Sequence, residues 1–169
     1  MKYGTLVYLV SGGKVLMIKK GIRKDDPNSG YFTLPGGKLE EEEKGLENLE
    51  GRVKGAKREV KEETGIEPLN LNLIGVILFD NHERTFDNWK NPDNFLVYVY
   101  LAGSYKGVAR ETKEGIPFSV PKEKIDSLPS NPGDKLMYGW IKKGKKFFGV
   151  IKHKGNKIDT AGTFVDFYS

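Results

Sequence analysis

The chain of 169 residues contains no cysteine. Because thiols are absent, disulfide bonds, thiolate metal sites and a cysteine nucleophile are all excluded. The sequence also has no apolar run near the ~18 residues that a membrane-spanning helix needs. The stretch 3–10 contains polar positions and runs into Ser11-Gly12-Gly13 without a cleavage-site pattern, so we expect no secretion signal. These absences predict a cytoplasmic protein without a membrane partner.

A phosphate-binding P-loop is missing as well. Such a loop reads Gly-x-x-x-x-Gly-Lys-Ser/Thr, whereas Gly36-Gly37-Lys38 is followed by Leu39. This excludes the P-loop class of nucleotide hydrolases.

The composition is that of a soluble globular chain, with 37% hydrophobic and 30% charged residues. Its length suits one domain with a single core over 1–169. The 28 Lys and Arg exceed the 23 Asp and Glu, which gives a net charge of +5. A basic chain favours anionic partners, such as nucleotides or nucleic acid.

Strand and helix patterns alternate along the chain. Apolar residues recur at helical spacing from Leu49 to Val60, and Gly65 provides a stop. A hairpin is predicted where two β-rich runs flank the glycine turn. The predicted strands cover 5–10, 14–19, 69–79, 94–102 and 147–153, and a short helix is predicted near 121–128.

The predicted helix carries a cluster of acidic side chains. At ~100° per residue, Glu59, Glu62 and Glu63 fall within an arc of about 100°. Carboxylates this close repel one another unless a cation neutralises them, and their hard oxygens suit Mg²⁺ or Mn²⁺. The alternative is a solvated acidic face balanced by neighbouring Lys and Arg.

The context of this cluster favours the metal. A Pro-Gly-Gly turn at 35–37 precedes the helix, and Arg58 to Ile66 reads Arg-Glu-Val-Lys-Glu-Glu-Thr-Gly-Ile. This resembles the second half of the Nudix hydrolase signature, Gx5Ex7REUxEExGU with U aliphatic, at every fixed position. The resemblance implies an α/β fold, the Nudix α/β/α sandwich with a mixed sheet, and a catalytic loop-helix-loop over about 36–66.

The first half of the signature has seven extra residues. Counting forward from Gly37 puts its first glutamate at Glu43, whereas counting back from Arg58 puts it at Glu50. We expect an insertion within 41–49 that forms a surface loop. The intact spacing to the helix favours Glu50, with Glu43 as the alternative.

Outside the signature, the chain is similar to the branch that hydrolyses oxidised purine nucleoside triphosphates, in the segments 5–7, 15–20, 111–114 and 145–149. By this resemblance the base-recognition positions are Thr33 and the segment from Asn131 to Asp134. Of the acidic and aromatic residues typical of the branch, Asp134 alone is retained, which leaves the identity of the base open.

The resemblance also implies the reaction and the roles of residues. Water attacks a phosphorus of a nucleoside triphosphate, and the products are a monophosphate and pyrophosphate. The implied metal ligands are Glu59, Glu62, Glu63 and a backbone carbonyl of Gly36 or Gly37, with Glu111 or Glu114 completing the set. Glu59 is alternatively the base.

Three basic residues near the signature have expected roles. Arg58 orients a neighbouring glutamate through a bidentate pair, with a phosphate contact or a surface salt bridge as alternatives. Arg23 and Lys24 could hold phosphates, and the alternative for each is a solvated loop position. No role is assigned to His82 or His153.

Other substrates and a non-catalytic role remain open. ADP-ribose, dinucleoside polyphosphates and RNA 5′ ends are the alternative substrates within the family. A nucleotide- or RNA-binding module would use a basic surface, but strand alternation explains its residues more simply, so stable nucleic-acid binding is not favoured. That surface would comprise Lys142, Lys143, Lys145, Lys146, Lys152 and Lys154 around Trp140, Phe147 and Phe148. Monomer and homodimer both remain open.

Overall fold

The computed structural model describes residues 1–23, 26, 28–45, 47–85 and 93–169. The strands are β1 (Lys2–Ser11), β2 (Lys14–Lys20), β3 (Phe32–Thr33), β4 (Gly36–Lys38), β5 (Glu67–Leu69), β6 (Asn72–Arg84), β7 (Phe95–Ala102), β8 (Ser104–Lys106), β9 (Gly115–Pro121), β10 (Lys146–Gly155), β11 (Lys157–Ile158) and β12 (Phe164–Tyr168). The α-helices are α1 (Leu49–Thr64) and α2 (Pro132–Lys142), and short 3-10 helices lie at Glu41–Glu43, Lys122–Ser127 and Thr160–Gly162.

The main sheet is mixed. Its path runs β11-β10-β6-β7-β1-β2-β3, with β12 on β10, β4 on β1 and β9 on β2. Strands β1 and β7 are parallel, as are β6 and β10, whereas β6 and β7 are antiparallel. The predicted hairpin is present, because β1 and β2 pair antiparallel through Ser11 and Lys14.

The two helices cover opposite faces of this sheet. Alternate residues of a strand point to opposite faces, so Val7 packs in the core under α1 while Tyr8 packs in the core with α2. The α1 side contains Ala56 and Val60, and the α2 side contains Met137. This arrangement confirms the predicted α/β/α sandwich.

Helix α1 has clear signals at both ends. The Asn48 side chain accepts a hydrogen bond from the Gly51 backbone N–H at 2.9 Å, which caps the first turn. Gly65 adopts a left-handed φ of 81° and its N–H donates to the Lys61 carbonyl, as at many helix ends. The predicted end at 64–65 is therefore confirmed.

The buried face of α1 differs from the predicted one. Leu49 is 64% exposed, because it lies in the first turn, where the helix has not reached the sheet. Arg52 is buried instead, with its guanidinium 4.3 Å from the centre of the Tyr98 ring. This cation–π contact explains how a charged residue lies in the core.

Two other elements correct the expectations, and one agrees with them. Strand β6 begins at Asn72 rather than at 69, since Asn70 has a φ of 52° and turns the chain. The short helix predicted near 121–128 is present as the 3-10 helix Lys122–Ser127. Helix α2 was not predicted: Trp140 lies on it, so the expected strand alternation of lysines and aromatics begins only at Lys146. No helix in these described ranges is long and apolar enough to cross a bilayer.

Candidate active site

Two glycines allow helix α1 to approach strand β4 closely. Gly36 and Gly37 pair with Leu6 and Thr5 of β1. A side chain at Gly36 would overlap the Thr5 backbone, and one at Gly37 would collide with the carboxylate of Glu59. The glycine turn therefore brings the acidic face of the helix against the backbone of β4.

Glu63 is the best-anchored carboxylate of the cluster. Its side chain is 5% exposed. One oxygen accepts a hydrogen bond from the Gly36 N–H at 2.7 Å, and the other accepts from the Lys20 ammonium at 2.5 Å. Burial raises the pKa of Glu63, and nearby Glu114 adds to this, whereas Lys20 and the Gly36 N–H oppose it. Buried negative charge at this point favours a bound cation.

Glu59 and Glu62 lie on the same side of the helix as Glu63. Burial raises the pKa of Glu59, its acidic neighbours add to this, and Arg58 opposes it through a 3.0 Å hydrogen bond. Glu62 is more exposed and lies 3.3 Å from the Arg58 guanidinium. The structure thus brings together the three carboxylates predicted from the helical arc.

Arg58 binds Glu43 in a bidentate pair. Its Nε and Nη2 atoms donate to the two carboxylate oxygens at 3.0 and 2.8 Å. The Glu43 side chain is buried, and hydrogen bonding to Arg58 lowers its pKa. Glu50 is exposed in the first turn of α1. Glu43, and not Glu50, is therefore the glutamate that pairs with Arg58.

Glu43 lies in a short helical turn before α1. The 3-10 helix Glu41–Glu43 turns the Glu43 carboxylate inward, where the absence of a side chain at Gly55 makes room for it. The segment between this turn and α1 is fixed by Asn48, whose amide donates to the Glu42 carbonyl at 3.0 Å. Counting forward from Gly37 gives the glutamate that pairs with Arg58, whereas counting back from the helix passes over it.

The carboxylates line a cavity of about 730 Å³. Glu114 lines this cavity, 3.9 Å from the Lys20 ammonium, whereas Glu111 is exposed and does not line it. Arg23 lies 3.7 Å from Glu114. Lys24 lies outside the described residues. The remaining lining comes from Lys20, Gly36, Gly37, Glu59, Glu62, Glu63, Arg110 and Lys113.

The donor set suits a divalent cation. Carboxylate oxygens with raised pKa values surround a solvent-accessible cavity, and hard oxygens are the ligands that Mg²⁺ and Mn²⁺ prefer. In the described ranges, no three acidic or histidine side chains are already gathered around one point. The Lys20 ammonium, on Glu63, supplies positive charge there instead. The chemistry of these side chains therefore suits a divalent cation, while Lys20 is the cation that contacts Glu63 in this structure.

A second cavity, of about 380 Å³, adjoins the first. Both are lined by Lys20, Gly36 and Gly37. The second also contains the three predicted base-recognition residues, together with polar residues that were not predicted. The predicted ones are Thr33, Asn131 and Asp134, and the additional ones include Thr5, Asn81, Arg84 and His153.

Asp134 lies in the first turn of α2, at the wall of this second cavity. Burial raises its pKa to about 7, and the nearby Arg84 guanidinium opposes this shift. Arg84 is itself buried, and its Nη2 donates to Asn131 Oδ1 at 3.4 Å. An acid and a cation therefore share the wall of a cavity of the size of a small ligand.

Sequence reasoning assigned no role to His153, yet it lies in this wall. The ring is buried and its Nδ1 lies 2.9 Å from Asn81 Oδ1. Burial, together with the Arg84 charge, lowers the pKa of His153 to about 4, and Asp80 opposes this shift. Strand alternation offered a signal, because His153 has the same parity as buried Phe147 and Ile151. His82, by contrast, is exposed beside Asp80.

The described lysines of the alternative basic surface are in part paired with acids. Lys142 forms an ion pair with Asp126. Lys152 lies 3.4 Å from Glu83 and 3.7 Å from Asp159. Charge that is balanced within the protein offers less to a polyanion.

The glycine turn, the carboxylate helix and the sandwich define a Nudix domain. The NUDIX domain family model matches residues 2–137, so the chain belongs to the Nudix family and is a Nudix hydrolase. Nudix hydrolases act on nucleotide substrates and generally use divalent cations.

Three known proteins illustrate what the chain is similar to. The Nudix hydrolase YvcI of Bacillus subtilis is 29% identical over 140 residues, which are 81% of this chain and 77% of YvcI. The oxidized purine nucleoside triphosphate hydrolase of Mus musculus is 28% identical over 148 residues, 88% of this chain and 84% of the mouse protein. The fold is also that of the MutT protein from Bacillus halodurans, with a TM-score of 0.74, 20% identity, and 99% and 97% of the two chains covered.

Proposed function

We propose that this protein is a Mg²⁺- or Mn²⁺-dependent pyrophosphohydrolase that cleaves a nucleoside triphosphate to its monophosphate and pyrophosphate. One observation carries the proposal. The carboxylate cavity and the polar cavity share Lys20, Gly36 and Gly37, so one ligand can place phosphates in the first and a base in the second. A triphosphate nucleotide has this shape and charge.

The acidic residues would bind the metal, which neutralises phosphate charge when present. Glu59, Glu62 and Glu63 are the proposed ligands, and a Gly37 carbonyl and Glu114, whose residues line the same cavity, are proposed to complete the set. Glu111 is exposed outside the cavity, which leaves Glu114 as the better candidate.

Proton acceptance and positioning fall to two neighbours. Glu59, whose pKa is raised by burial, is the alternative candidate for the base that accepts a proton from water. Arg58 is a positioning residue, because it donates a hydrogen bond to Glu59 while its guanidinium is itself held by the pair with Glu43.

Basic residues at the cavity rim would bind the phosphates. With a metal bound to Glu63, the Lys20 ammonium would donate to a phosphate oxygen in place of its present contact with Glu63. Arg23 is placed for the same role beside Glu114.

The proposed base is a purine, in particular an oxidised one. The printed name of the mouse relative gives this substrate class, and Thr33, Asn131 and Asp134 line the second cavity. With a pKa of about 7, Asp134 can accept from a base N–H or, when protonated, donate to a base acceptor.

A substrate panel with Mg²⁺ tests this function. It includes dGTP, 8-oxo-dGTP, ADP-ribose, a dinucleoside polyphosphate and a triphosphorylated RNA, and it scores pyrophosphate against orthophosphate and other products. We expect pyrophosphate from the triphosphates and a higher kcat/KM for 8-oxo-dGTP than for dGTP. In Asp134→Ala this ratio should change by about 5–100-fold, the effect of leaving a buried polar group unpaired. Preferential cleavage of ADP-ribose or of RNA ends would refute the proposal in favour of that substrate, and binding without turnover would identify a binding module.

A further inference from the structure

Three residues that line the second cavity have a buried polar atom without a hydrogen-bond partner in the described part of the chain. These atoms are Thr5 Oγ1, Thr33 Oγ1 and His153 Nε2. Buried polar atoms in proteins almost always have a partner, so such a set at the wall of an open cavity points to a ligand. His153 is the most informative of the three, because its hydrogen-bonding capacity is fixed by its surroundings.

A chain of hydrogen bonds fixes the tautomer of His153. The Asn81 side-chain amide donates to the Asp93 carbonyl at 3.0 Å, which leaves Asn81 Oδ1 as an acceptor. His153 Nδ1, 2.9 Å from that oxygen, must therefore carry the hydrogen. With the pKa of His153 lowered to about 4, the ring is neutral near pH 7 and Nε2 has only a lone pair. This atom can accept a hydrogen bond and cannot donate one.

The Nε2 atom is buried at the wall of the cavity, which both His153 and Gly133 line. It lies opposite Gly133, where a β-carbon would stand 3.4 Å away and is absent. Arg84 lies close enough for its charge to act on the His153 ring, and both line the cavity. The wall therefore presents a hydrogen-bond acceptor next to a positive charge.

We propose that His153 is a specificity-determining residue that accepts a hydrogen bond from a ring N–H of the substrate base, while Arg84 faces the adjoining carbonyl oxygen. The matching ligand edge is a lactam, N–H beside C=O. Adenine has the reverse edge at N1, a ring lone pair beside an amino group. Its N1 lone pair would face the lone pair of His153 Nε2, and its amino group would face the Arg84 cation, so neither contact would be a hydrogen bond. This inference rests on the proposed function, and it adds the chemical class of the base.

Four nucleotides separate the possible sources of the lactam. In dITP it lies at N1–H and C6=O, in 8-oxo-dATP at N7–H and C8=O, and in dTTP at N3–H and C4=O, whereas dATP has none. We expect at least one of the first three to exceed dATP by about tenfold or more in kcat/KM, the usual size of a paired-edge discrimination. Equal kcat/KM for all four would overturn the inference and leave the hydrolase assignment intact.

A variant pair then assigns the preference to His153. His153→Phe keeps a planar ring and removes the acceptor, so the preferred lactam nucleotide should lose most of its advantage over dATP. His82→Phe is the control, because His82 is exposed outside the cavity. A preference that survives in folded His153→Phe would contradict the assignment.

A binding measurement needs neither turnover nor a folded variant. In ¹⁵N NMR of the parent chain, His153 Nε2 should remain unprotonated and shift towards a hydrogen-bonded acceptor when at least one of dIMP, 8-oxo-dAMP and dTMP binds, but not when dAMP binds. An Nε2 resonance unmoved by any bound lactam nucleotide would overturn the inference. If no triphosphate is hydrolysed, the proposed function fails, and this measurement still decides the role of His153.

Discussion

The two adjoining cavities are built in different ways. In the carboxylate cavity, the three predicted ligands come from five consecutive residues of one helix turn, Glu59 to Glu63. The polar cavity draws its wall from the ends of strands and a helix that are distant in sequence, with Arg84 on β6, Asp134 on α2 and His153 on β10. The carboxylates thus belong to one local motif, whereas the wall of the polar cavity forms only when the complete sandwich has folded.

In the proposed function, the carboxylate cavity carries out the reaction and the polar cavity selects the substrate base. A metal site needs several oxygens in a fixed geometry, which one rigid helix supplies. Selection of a base needs donors and acceptors around its edge, and no single element can surround a ring. We therefore expect changes in the helix to lower turnover for all substrates, and changes in the polar cavity to alter the ranking of substrates.

The largest effect is expected in the carboxylate cavity. Glu63→Gln should lower kcat by at least about 100-fold for every nucleotide, because it removes a charged metal ligand. The variant loses the Lys20 pair, but the raised pKa of Glu63 indicates that burial of its charge outweighs that pair, and the Gly36 N–H can still donate to the amide oxygen. The melting temperature should therefore change little. Steady-state kinetics and thermal unfolding measure the two quantities, with and without EDTA.

The matched control for Glu63→Gln is Glu41→Gln, an exposed glutamate whose ion pair is with Lys44. It should leave kcat within about twofold. Full activity of the parent in EDTA, or of Glu63→Gln with metal, would show that the helix does not hold a catalytic cation.

A smaller effect, on stability, is expected from the bidentate pair between Glu43 and Arg58. Glu43→Gln breaks a buried, charge-assisted pair and should lower the free energy of unfolding by about 1–3 kcal/mol. Glu50→Gln, on the exposed first turn, should change it by less than about 0.5 kcal/mol. Urea unfolding of the two variants provides the comparison. Equal losses would return Glu50 to consideration as the first glutamate of the signature.

The same difference explains what the sequence could predict. The end of α1 and the clustering of Glu59, Glu62 and Glu63 follow from local periodicity, so they could be read directly. The sandwich was predicted from the resemblance to the Nudix signature. The partner of Arg58 could not, because spacing does not show on which side of Glu43 an insertion lies. Helix α2 was missed, since two glycines and an N-terminal proline weaken the helical pattern of 132–142.

In the polar cavity, resemblance found Thr33 and Asp134 but not Arg84 or His153. Their meeting depends on the parallel pairing of β6 with β10, a tertiary fact with no local sign. Lone charged or histidine residues on predicted strands are usually structural or exposed, which is why neither received a role.

The smallest effects concern the pH dependence of stability that arises from Asp134 and His153 in the polar cavity. Asp134 has a raised pKa of about 7 against 3.8, so between these values the folded state binds more protons than the unfolded chain, and stability falls as pH rises. His153 has a lowered pKa of about 4 against 6.5, so between these values the unfolded chain binds more protons, and stability rises with pH. The two slopes oppose each other over about pH 4 to 6.5.

Single substitutions should reveal each slope. Relative to the parent, Asp134→Asn should become more stable as pH rises from 4.5 to 6.5, because the variant lacks the Asp134 titration that lowers the stability of the parent over this interval. His153→Phe should become less stable over the same interval, because the rising contribution is removed. Each difference is at most ~1.4 kcal/mol per pH unit, the limit for one proton. Urea unfolding at half-unit steps measures both differences. Slopes of the same sign in the two variants would mean that the buried acid and the buried histidine do not titrate as the geometry of this cavity requires, and would place the ligand-reading groups elsewhere.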